Sequence, residues 1–471
     1  MNYNQFEPAF WAENTQDVLD DSKGAVGLVS FSEIGAPSVD IPLNTLVSDA
    51  VPIETGGRAF SHTALHRDAI YGISQSNKKY VLRDVTTRES FDFFTGRPHQ
   101  VLHGQSIIKS ETFPPSPNPD ISSLNIRIYG FREWIGQHAF LLREDKTSLS
   151  FSFDKNGNYD CLIYEDDEIV ISAKYSSIRA QRYDYDFSFT DDYFLSIVFK
   201  RHKSLDDALD VFYQMYDFIT FCMGYQGNIE EVFFTLDNNP YEFEYYDQFV
   251  SGRSEDARRL ARKSPLPYSR IKDQSQQLVD KWLRATAEAQ KTYRMASVML
   301  GKESTNNLEL IFLTATQAFE GVSRVGENQE ELNSEEFDRR FRIVLDSITD
   351  KKVREWADRK LKYANHKSAG TLANALFNKL RCFAHYVVPD KEQFLKDLRE
   401  SRNAHTHVRE GTNDHYLTGR PLYWLARTVQ VLHYGAVMLN LGFSPEEILT
   451  IFRESGFLDS YISHAQEIYH N

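Results

Sequence analysis

The chain has 471 residues, of which 41% are hydrophobic and 25% are charged, and its formal net charge is -14 at pH 7. This length exceeds one ordinary core, so two or three domains are expected, and the composition excludes a disordered chain. No apolar run approaches the roughly 20 residues that span a bilayer, and the start, MNYNQFEPAFWAEN, lacks the basic and apolar segments of a secretory signal.

The 3 cysteines, Cys161, Cys222 and Cys382, are scattered along the chain. An odd number at such spacing fits neither a disulfide framework nor a four-cysteine zinc site. Reduced packing thiols in a cytoplasmic protein are therefore expected.

Residues 1–250 are predicted to be β-rich, with at least one helix and with one or two subdomains. Apolar and polar residues alternate in KYVLRDV, LNIRIYGF, SLSFSF and FLSIVFK. The Asn-Gly of DKNGNYD, 154–160, predicts a hairpin between two strands, and the acidic run Glu165 to Glu168 predicts a solvated turn. The period becomes helical in LDDALDVFYQMYDFITF, within 204–222.

The net negative charge lies entirely in the first part of the chain. Residues 271–471 hold 27 of the 53 Lys+Arg and 27 of the 67 Asp+Glu. Residues 1–270 therefore hold 26 Lys+Arg and 40 Asp+Glu, which accounts for the whole net charge of -14. Between the two parts, 251–271 is interpreted as a basic linker, either a solvated connector or an RNA-contacting strip. Such asymmetry predicts parts with different partners, and the acidic part would repel phosphates.

Residues 272–471 are predicted to form an all-α bundle, so the fold class is α+β multidomain. Long helical patterns include QQLVDKWLRATAEAQKTYRMASVML, NNLELIFLTATQAFEGVSRV and TLANALFNKLRCFA. The most apolar pattern is PLYWLARTVQVLHYGAVMLNLGF, with Pro421 suited to the first turn and Gly442 to the stop. It could supply a dimer interface, although core packing is the expected use of most of it. Ser444 and Glu447 predict a capping box.

The stretch RESRNAHTH, 399–407, gathers cations and histidines at the end of one predicted helix. Arg suits bidentate phosphate contact, and His titrates near pH 7 and can move a proton. Together they fit attack on a phosphodiester without metal, with the RNA 2′-hydroxyl as nucleophile. On a continuous helix Arg402 and His407 would diverge by roughly 140°, so they converge only if the helix ends between them or a second copy lies opposite. The alternative is a solvated helix end.

Other chemistries have weaker support. His405, His407 and His415 could begin a zinc site, but no HExxH or CxxC motif supports one, so no metal is expected. Cys382 and His385 could form a dyad, although two packed core residues are the expectation. No phosphate-binding loop is present, because Glu327-Asn328 stand where Lys-Ser/Thr would follow.

Residues 300–443 resemble the Apea-like HEPN domain, a helical family of ribonucleases and RNA-binding modules. The family's mark is Arg-x(4–6)-His with a polar residue after the Arg, which Arg402, Asn403 and His407 match. The pair Arg399 and His405 fits less well, because Glu400 follows the Arg. The stretches FLTATQAFEGVSR, EEFDRRFRIVL and VVPDKEQFLKDLRESRNAHTH occur in the family's order. The first 250 residues resemble, more loosely, the β-rich ApeA-type N-terminal domain, through FWAENT and GAVGLVSFSEI.

The resemblance implies a homodimeric, metal-independent endoribonuclease of antiphage defence, acting by abortive infection without a cofactor. Its substrate would be host RNA, tRNA included, and its N-terminal region would sense a phage-derived trigger. The alternatives are a HEPN module that binds RNA or a partner without cutting, and a structural dimerisation protein.

Roles follow for the motif residues: Arg402 would bind the phosphate, His407 would be the general base or acid, and Asn403 would orient the motif. Supporting roles are expected for Gln317 and Glu320, which match the family's early helix but lie outside its Arg-His motif, and for His405. Further RNA contacts are expected from Arg399, Arg409, Arg258, Arg259 and Arg262.

Overall fold

The computed structural model describes most of the chain. The described residues are 6–20, 23–32, 35–42, 46, 51–52, 58–59, 65–91, 98–137, 140–144, 149–153, 159–183, 186–237, 239–249, 264–300, 307–362, 364–406 and 416–469. They confirm the α+β class, because strands dominate before residue 250 and helices after residue 267.

The chain divides into two compact units. The first comprises Met1–Ile219, Gly227–Arg262 and Pro267–Val279, and the second comprises Thr220–Gln226, Lys263–Leu266 and Asp280–Asn471. The short segments 220–226 and 263–266 thus join a helical unit that otherwise begins at residue 280.

The strands, in chain order, are β1 (Ala9–Ala12), β2 (Ala25–Phe31), β3 (Pro37–Ile41), β4 (Val51–Pro52), β5 (Arg58–Ala59), β6 (Leu65–Ser74), β7 (Lys79–Phe91), β8 (Pro98–His103), β9 (Ser106–Ser110), β10 (Asp120–Ile128), β11 (Phe140–Glu144), β12 (Leu149–Phe153), β13 (Cys161–Glu165), β14 (Ile169–Tyr183), β15 (Asp186–Ser204), β16 (Ile229–Thr235) and β17 (Phe243–Asp247).

The helices, in chain order, are α1 (Thr15–Leu19), α2 (Phe131–Ile135), α3 (Leu205–Met223), α4 (Tyr268–Ile271), α5 (Ser275–Leu283), α6 (Ala287–Leu300), α7 (Leu308–Val322), α8 (Ser334–Ser347), α9 (Lys351–Leu361), α10 (Ala369–Val387), α11 (Lys391–Thr406), α12 (Gly419–Leu441), α13 (Pro445–Ser455) and α14 (Asp459–Ile468).

Within the described residues, 13 strands of the first unit form one sheet in the order β13-β14-β15-β10-β16-β17-β9-β7-β6-β1-β2-β3-β8. The long strand β7 also pairs with β8, so β7, β6, β1, β2, β3 and β8 close into a ring. β7 belongs both to this ring and to the rest of the sheet, because its first residues pair with β9 and its later residues pair with β8.

One hairpin prediction falls largely outside the described residues, and one turn prediction is confirmed. The Asn-Gly of DKNGNYD lies outside them, so its hairpin stays a prediction. Of the described strands on either side, β12 pairs with β11 in a two-stranded sheet and β13 pairs with β14 in the large sheet. The acidic run forms the β13–β14 turn, where the Asp166 carboxylate accepts hydrogen bonds from the backbone N–H groups of Glu168 and Ile169, both at 2.8 Å.

The core of the second unit surrounds α12, which packs against α7, α10 and α14. Nearly every residue from Leu422 to Met438 on this helix is buried, so core packing is confirmed as its main use. Gly442 ends α12 with φ 109°, a left-handed cap that favours glycine, and the capping box of Ser444 and Glu447 is present. None of the described helices combines the length and apolar character needed to cross a membrane.

Candidate active site

The helix α11 carries the first residues of the motif. The Asp390 side chain accepts a hydrogen bond from the backbone N–H of Gln393 at 3.0 Å and so caps the helix start. Phe394, Leu398 and Ser401 are buried at helical spacing. This packing fixes the axis of α11 and directs the residues of its other face to solvent.

Arg402 lies against Glu320 of α7. Arg402 Nε is 3.3 Å from Glu320 Oε1, and the side chains are 36% and 19% exposed. Arg402 Nη1 also donates to Asn403 Oδ1 at 3.4 Å. These two contacts engage Nε and Nη1, and within the described part of the chain the Nη2 donors are left for a ligand. Gln317, expected as a supporting residue, is exposed one turn before Glu320 on the same helix.

His405 faces a different environment from Arg402. Its Nε2 is 3.1 Å from the carbonyl oxygen of Leu417, and its ring packs edge-on against the rings of Phe312 and Tyr416. One turn earlier, Ser401 Oγ accepts from the backbone N–H of Leu417 at 3.1 Å. His405 and Ser401 thus hold the segment that leads into α12.

The described part of α11 runs to Thr406, immediately before His407. His407, Arg409 and His415 lie outside the described residues, as do the linker residues Arg258, Arg259 and Arg262. Their positions therefore stay predictions.

A cleft of about 1450 Å³ opens beside Arg402, between the start of α10, α11 and the end of α7. Its charged lining residues are the cations Lys391, Lys396, Arg399 and Arg402 and the acids Glu320, Asp390 and Glu392. The first turn of α10 also lines the cleft, where Ser368 Oγ accepts from the backbone N–H of Thr371 at 3.1 Å. Cations and a helix N-terminus together suit an anionic ligand.

Two cations of this lining, Lys391 and Lys396, and the residues of α10 escaped the sequence analysis. Lys396 and Arg399 are three apart on α11, and Asn403 follows four later. That spacing places them on one face of a helix and was the available signal. The contribution of α10 had no such signal, because it depends on tertiary packing.

The described residues form no metal site, and they do not bury Cys382 and His385 in the core. No group of three or more His, Cys, Asp or Glu side chains there could hold a metal ion. The expectation that Cys382 and His385 are core residues is wrong, because Cys382 is half-buried and His385 is exposed. The buried residues of α10 lie on its other side, Phe383 and Ala384 among them.

Comparison with known proteins assigns both parts of the chain. Residues 27–282, more than half of the chain, match the model of ApeA N-terminal domain 1. Residues 313–447 match the model of the Apea-like HEPN domain, and this range includes most of α7 and all of α11. No match was found among curated proteins or among solved structures. HEPN domains commonly bind RNA and dimerise. The chain belongs to the family that joins an ApeA N-terminal domain 1 to an Apea-like HEPN domain.

Proposed function

We propose that this protein is an endoribonuclease that cleaves host RNA without metal during antiphage defence. The observation that carries the proposal is the placement of Arg402, whose guanidinium is oriented by Glu320 at the edge of a cleft with four cationic side chains. A phosphodiester fits this arrangement, because a planar cation can bind two phosphate oxygens at once.

In the proposed reaction, Arg402 binds the scissile phosphate and stabilises the charge that develops on its oxygens. His407 accepts the proton of the RNA 2′-hydroxyl, whose oxygen attacks the adjacent phosphorus. The bond between phosphorus and the 5′-oxygen breaks, and that oxygen takes a proton from water, while His407 returns its proton to the solvent. The products are a 2′,3′-cyclic phosphate and a 5′-hydroxyl. Asn403 orients Arg402, and His405 positions the motif through the Leu417 contact.

The donor set near Arg402 supports a reaction without metal. Glu320, the carboxylate that contacts Arg402, already pairs with a cation, whereas hard divalent metals prefer several oxygen ligands. We propose further that the protein acts in the cytoplasm as a homodimer, on host RNA such as tRNA, and that its N-terminal region senses a phage-derived trigger.

The test is incubation of purified full-length protein with total RNA in EDTA, followed by analysis of the new ends. Cyclic phosphate and 5′-hydroxyl ends are expected.

Arg402→Lys should lower cleavage about 100-fold or more, because Lys keeps the charge but loses the planar fork. His407→Ala should lower it similarly with RNA binding retained. Arg270→Lys, an exposed arginine on α4, is the matched control. Activity abolished by EDTA and restored by magnesium or zinc would refute the metal-free route.

A second candidate function is RNA or partner binding without cleavage. The ion pair between Arg402 and Glu320 favours binding over cleavage, because Glu320 partly neutralises the charge that would stabilise the transition state. Wild-type protein that binds RNA and leaves it intact under every condition tested would support this second function.

A further inference from the structure

Two helices form an arm inserted between α7 and α10. α8 and α9 pack against each other. Ala357 is the one buried residue of these two helices. The arm is closed at its base by Asn365, whose side chain donates to the carbonyl oxygen of Leu332 and accepts from its N–H, both at 2.9 Å. The arm is thus ordered at its base and exposed along its length.

One face of α9 combines an exposed aromatic ring with cations. Trp356 is 56% exposed. On a helix, Lys352 and Lys360 lie about 40° around the axis from Trp356, and Arg359 lies about 60° away. All three cations are exposed, and within the described part of the chain none forms a salt bridge. We call these four residues the basic-aromatic face.

The acids of α9 point away from this face. Glu355 lies about 100° from Trp356 around the axis, and Asp358 lies about 160° away. The other tryptophans are less exposed: Trp11, Trp134 and Trp282 are buried, and Trp424 is half-buried and stacks on His464 at 3.8 Å.

The chain leads directly from the arm to the cleft. Residues 367–368 follow the base of the arm, and 368–374 belong to the segment at the start of α10 that lines the cleft. Trp356 lies five residues before the end of α9 at Leu361, roughly 7.5 Å at helical rise. The basic-aromatic face and the cleft are thus close along the chain, which suits one extended polymer.

We propose that the basic-aromatic face binds a single-stranded segment of RNA, with a base stacked on Trp356 and phosphates held by Lys352, Arg359 and Lys360. The inference deepens the proposed function and rests on it for the identity of the polymer. Aromatic rings bind unpaired bases of any sequence by stacking, and adjacent cations follow the backbone. The substrates favoured by this face are loops and unpaired ends, because the bases of a duplex are already stacked.

Charge complementarity favours RNA over the other occupants. A membrane-surface helix buries a continuous apolar face, whereas the exposed large apolar side chains of α9 itself are Trp356 and Val353, set among cations. A second copy of the chain could bring acids from residues 1–270, and a Trp356 signal that depends on protein concentration would reveal it. RNA supplies both the negative charge and the flat ring.

The experiment uses the full-length protein, a fluorescent single-stranded RNA of mixed sequence, and EDTA. Trp356→Ala is expected to weaken binding about tenfold, whereas Trp356→Phe, which retains a ring, should weaken it less. The triple variant Lys352→Glu, Arg359→Glu and Lys360→Glu should lower the slope of log affinity against log salt by about 2 or more. Lys291→Glu, an exposed cation on α6, is the control for charge.

Intrinsic fluorescence gives an independent readout. RNA should quench the wild-type signal, and Trp356→Phe should remove most of that quenching. The inference would be overturned if variants of the basic-aromatic face bound RNA as tightly as Lys291→Glu does. It would also be overturned if the fluorescence of Trp356 responded to anionic vesicles or to protein concentration but not to RNA. Binding and quenching without cleavage by wild type would instead contradict the proposed nuclease and leave this site standing.

Discussion

At the scale of single residues, the site depends on how Glu320 holds Arg402. Glu320→Gln keeps the size of the side chain but removes the charge that pairs with Arg402 Nε. Cleavage should fall about 10- to 100-fold, because a misplaced guanidinium no longer meets the phosphate in the reactive geometry. Single-turnover rates measure this effect. Glu309→Gln, an exposed acid on the same helix, is the control and should cleave as wild type does. A Glu320→Gln rate at or above wild type would mean that Glu320 restrains Arg402.

His433 predicts a pH dependence of stability. It is fully buried on α12, with Nε2 3.0 Å from the carbonyl oxygen of Thr292, and burial lowers its pKa from 6.5 to about 4. The unfolded chain binds the proton first as the pH falls, so stability is present above pH 6.5 and is lost between about 6.5 and 4. The loss amounts to about 3 kcal/mol. Urea unfolding across this range measures it, and His433→Gln should flatten that part of the profile.

The sequence predicted the motif residues but not their surroundings. Arg402 and Asn403 were predicted as motif residues because the chemistry of Arg with His and the family pattern coincide in six residues. Glu320 came from the family resemblance alone, since 82 residues separate it from Arg402 and no local pattern links them. The packing of His405 on Phe312 and Tyr416 was beyond reach for the same reason.

At the scale of elements, close approach of α12 and α10 predicts a sensitive glycine. A Cβ added at Gly435 would lie 2.2 Å from Phe383 Cε1. Gly435→Ala should therefore lower the free energy of unfolding by about 1–3 kcal/mol, because a packed core does not absorb an extra methyl without strain. The control is Gly370→Ala on α10, where the nearest atom is Ser368 Oγ at 3.8 Å. Denaturant unfolding should show no loss for Gly370→Ala, and equal stability of the two variants would contradict the packing argument.

The elements that could be predicted are those whose signals are local. α3 was expected within 204–222 and spans Leu205–Met223, since its apolar period repeats over five turns. Strand partners are harder to predict, because pairing depends on residues that are distant in the sequence. β13 pairs with β14 across the Asp166 turn, whereas β12 pairs with β11 in a different sheet. The exposed face of α9 could likewise not be predicted from the sequence, because the exposure of a side chain depends on which elements pack against it.

At the scale of the whole molecule, the helical unit requires residues far upstream of its own sequence. Phe221 is buried and stacks on Tyr434 of α12, with ring centroids 4.2 Å apart, and its carbonyl oxygen accepts a hydrogen bond from Tyr434 Oη. Phe221→Ala in the full chain should lower the free energy of unfolding by about 3–5 kcal/mol. Phe249→Ala, whose side chain is 52% exposed, is the control.

This connection bears on how the acidic first part can be tested as a regulator. A truncated chain of residues 271–471 would lack Phe221 and the rest of segment 220–226. It should unfold at lower urea than the full chain. Low activity in that piece would therefore report lost packing, and only an increase in activity would support restraint by the acidic part. An equally stable truncated chain would contradict the role given to Phe221.

A homodimer in which both copies contribute to each site is expected to show complementation between two inactive variants. If α11 continued past Thr406, His407 would lie about 140° around the axis from Arg402, so one copy would not easily aim both at one phosphate. Since α12 is buried within its own unit, the interface is expected on the exposed end of α11. Arg402→Ala and His407→Ala should each be inactive alone. Mixed in equal amounts, they should recover about one quarter of wild-type activity, because half of the dimers would contain one intact pair drawn from both copies. Light scattering checks that the mixture is dimeric, and a dimeric mixture that stays inactive would place Arg402 and His407 of each site in the same copy.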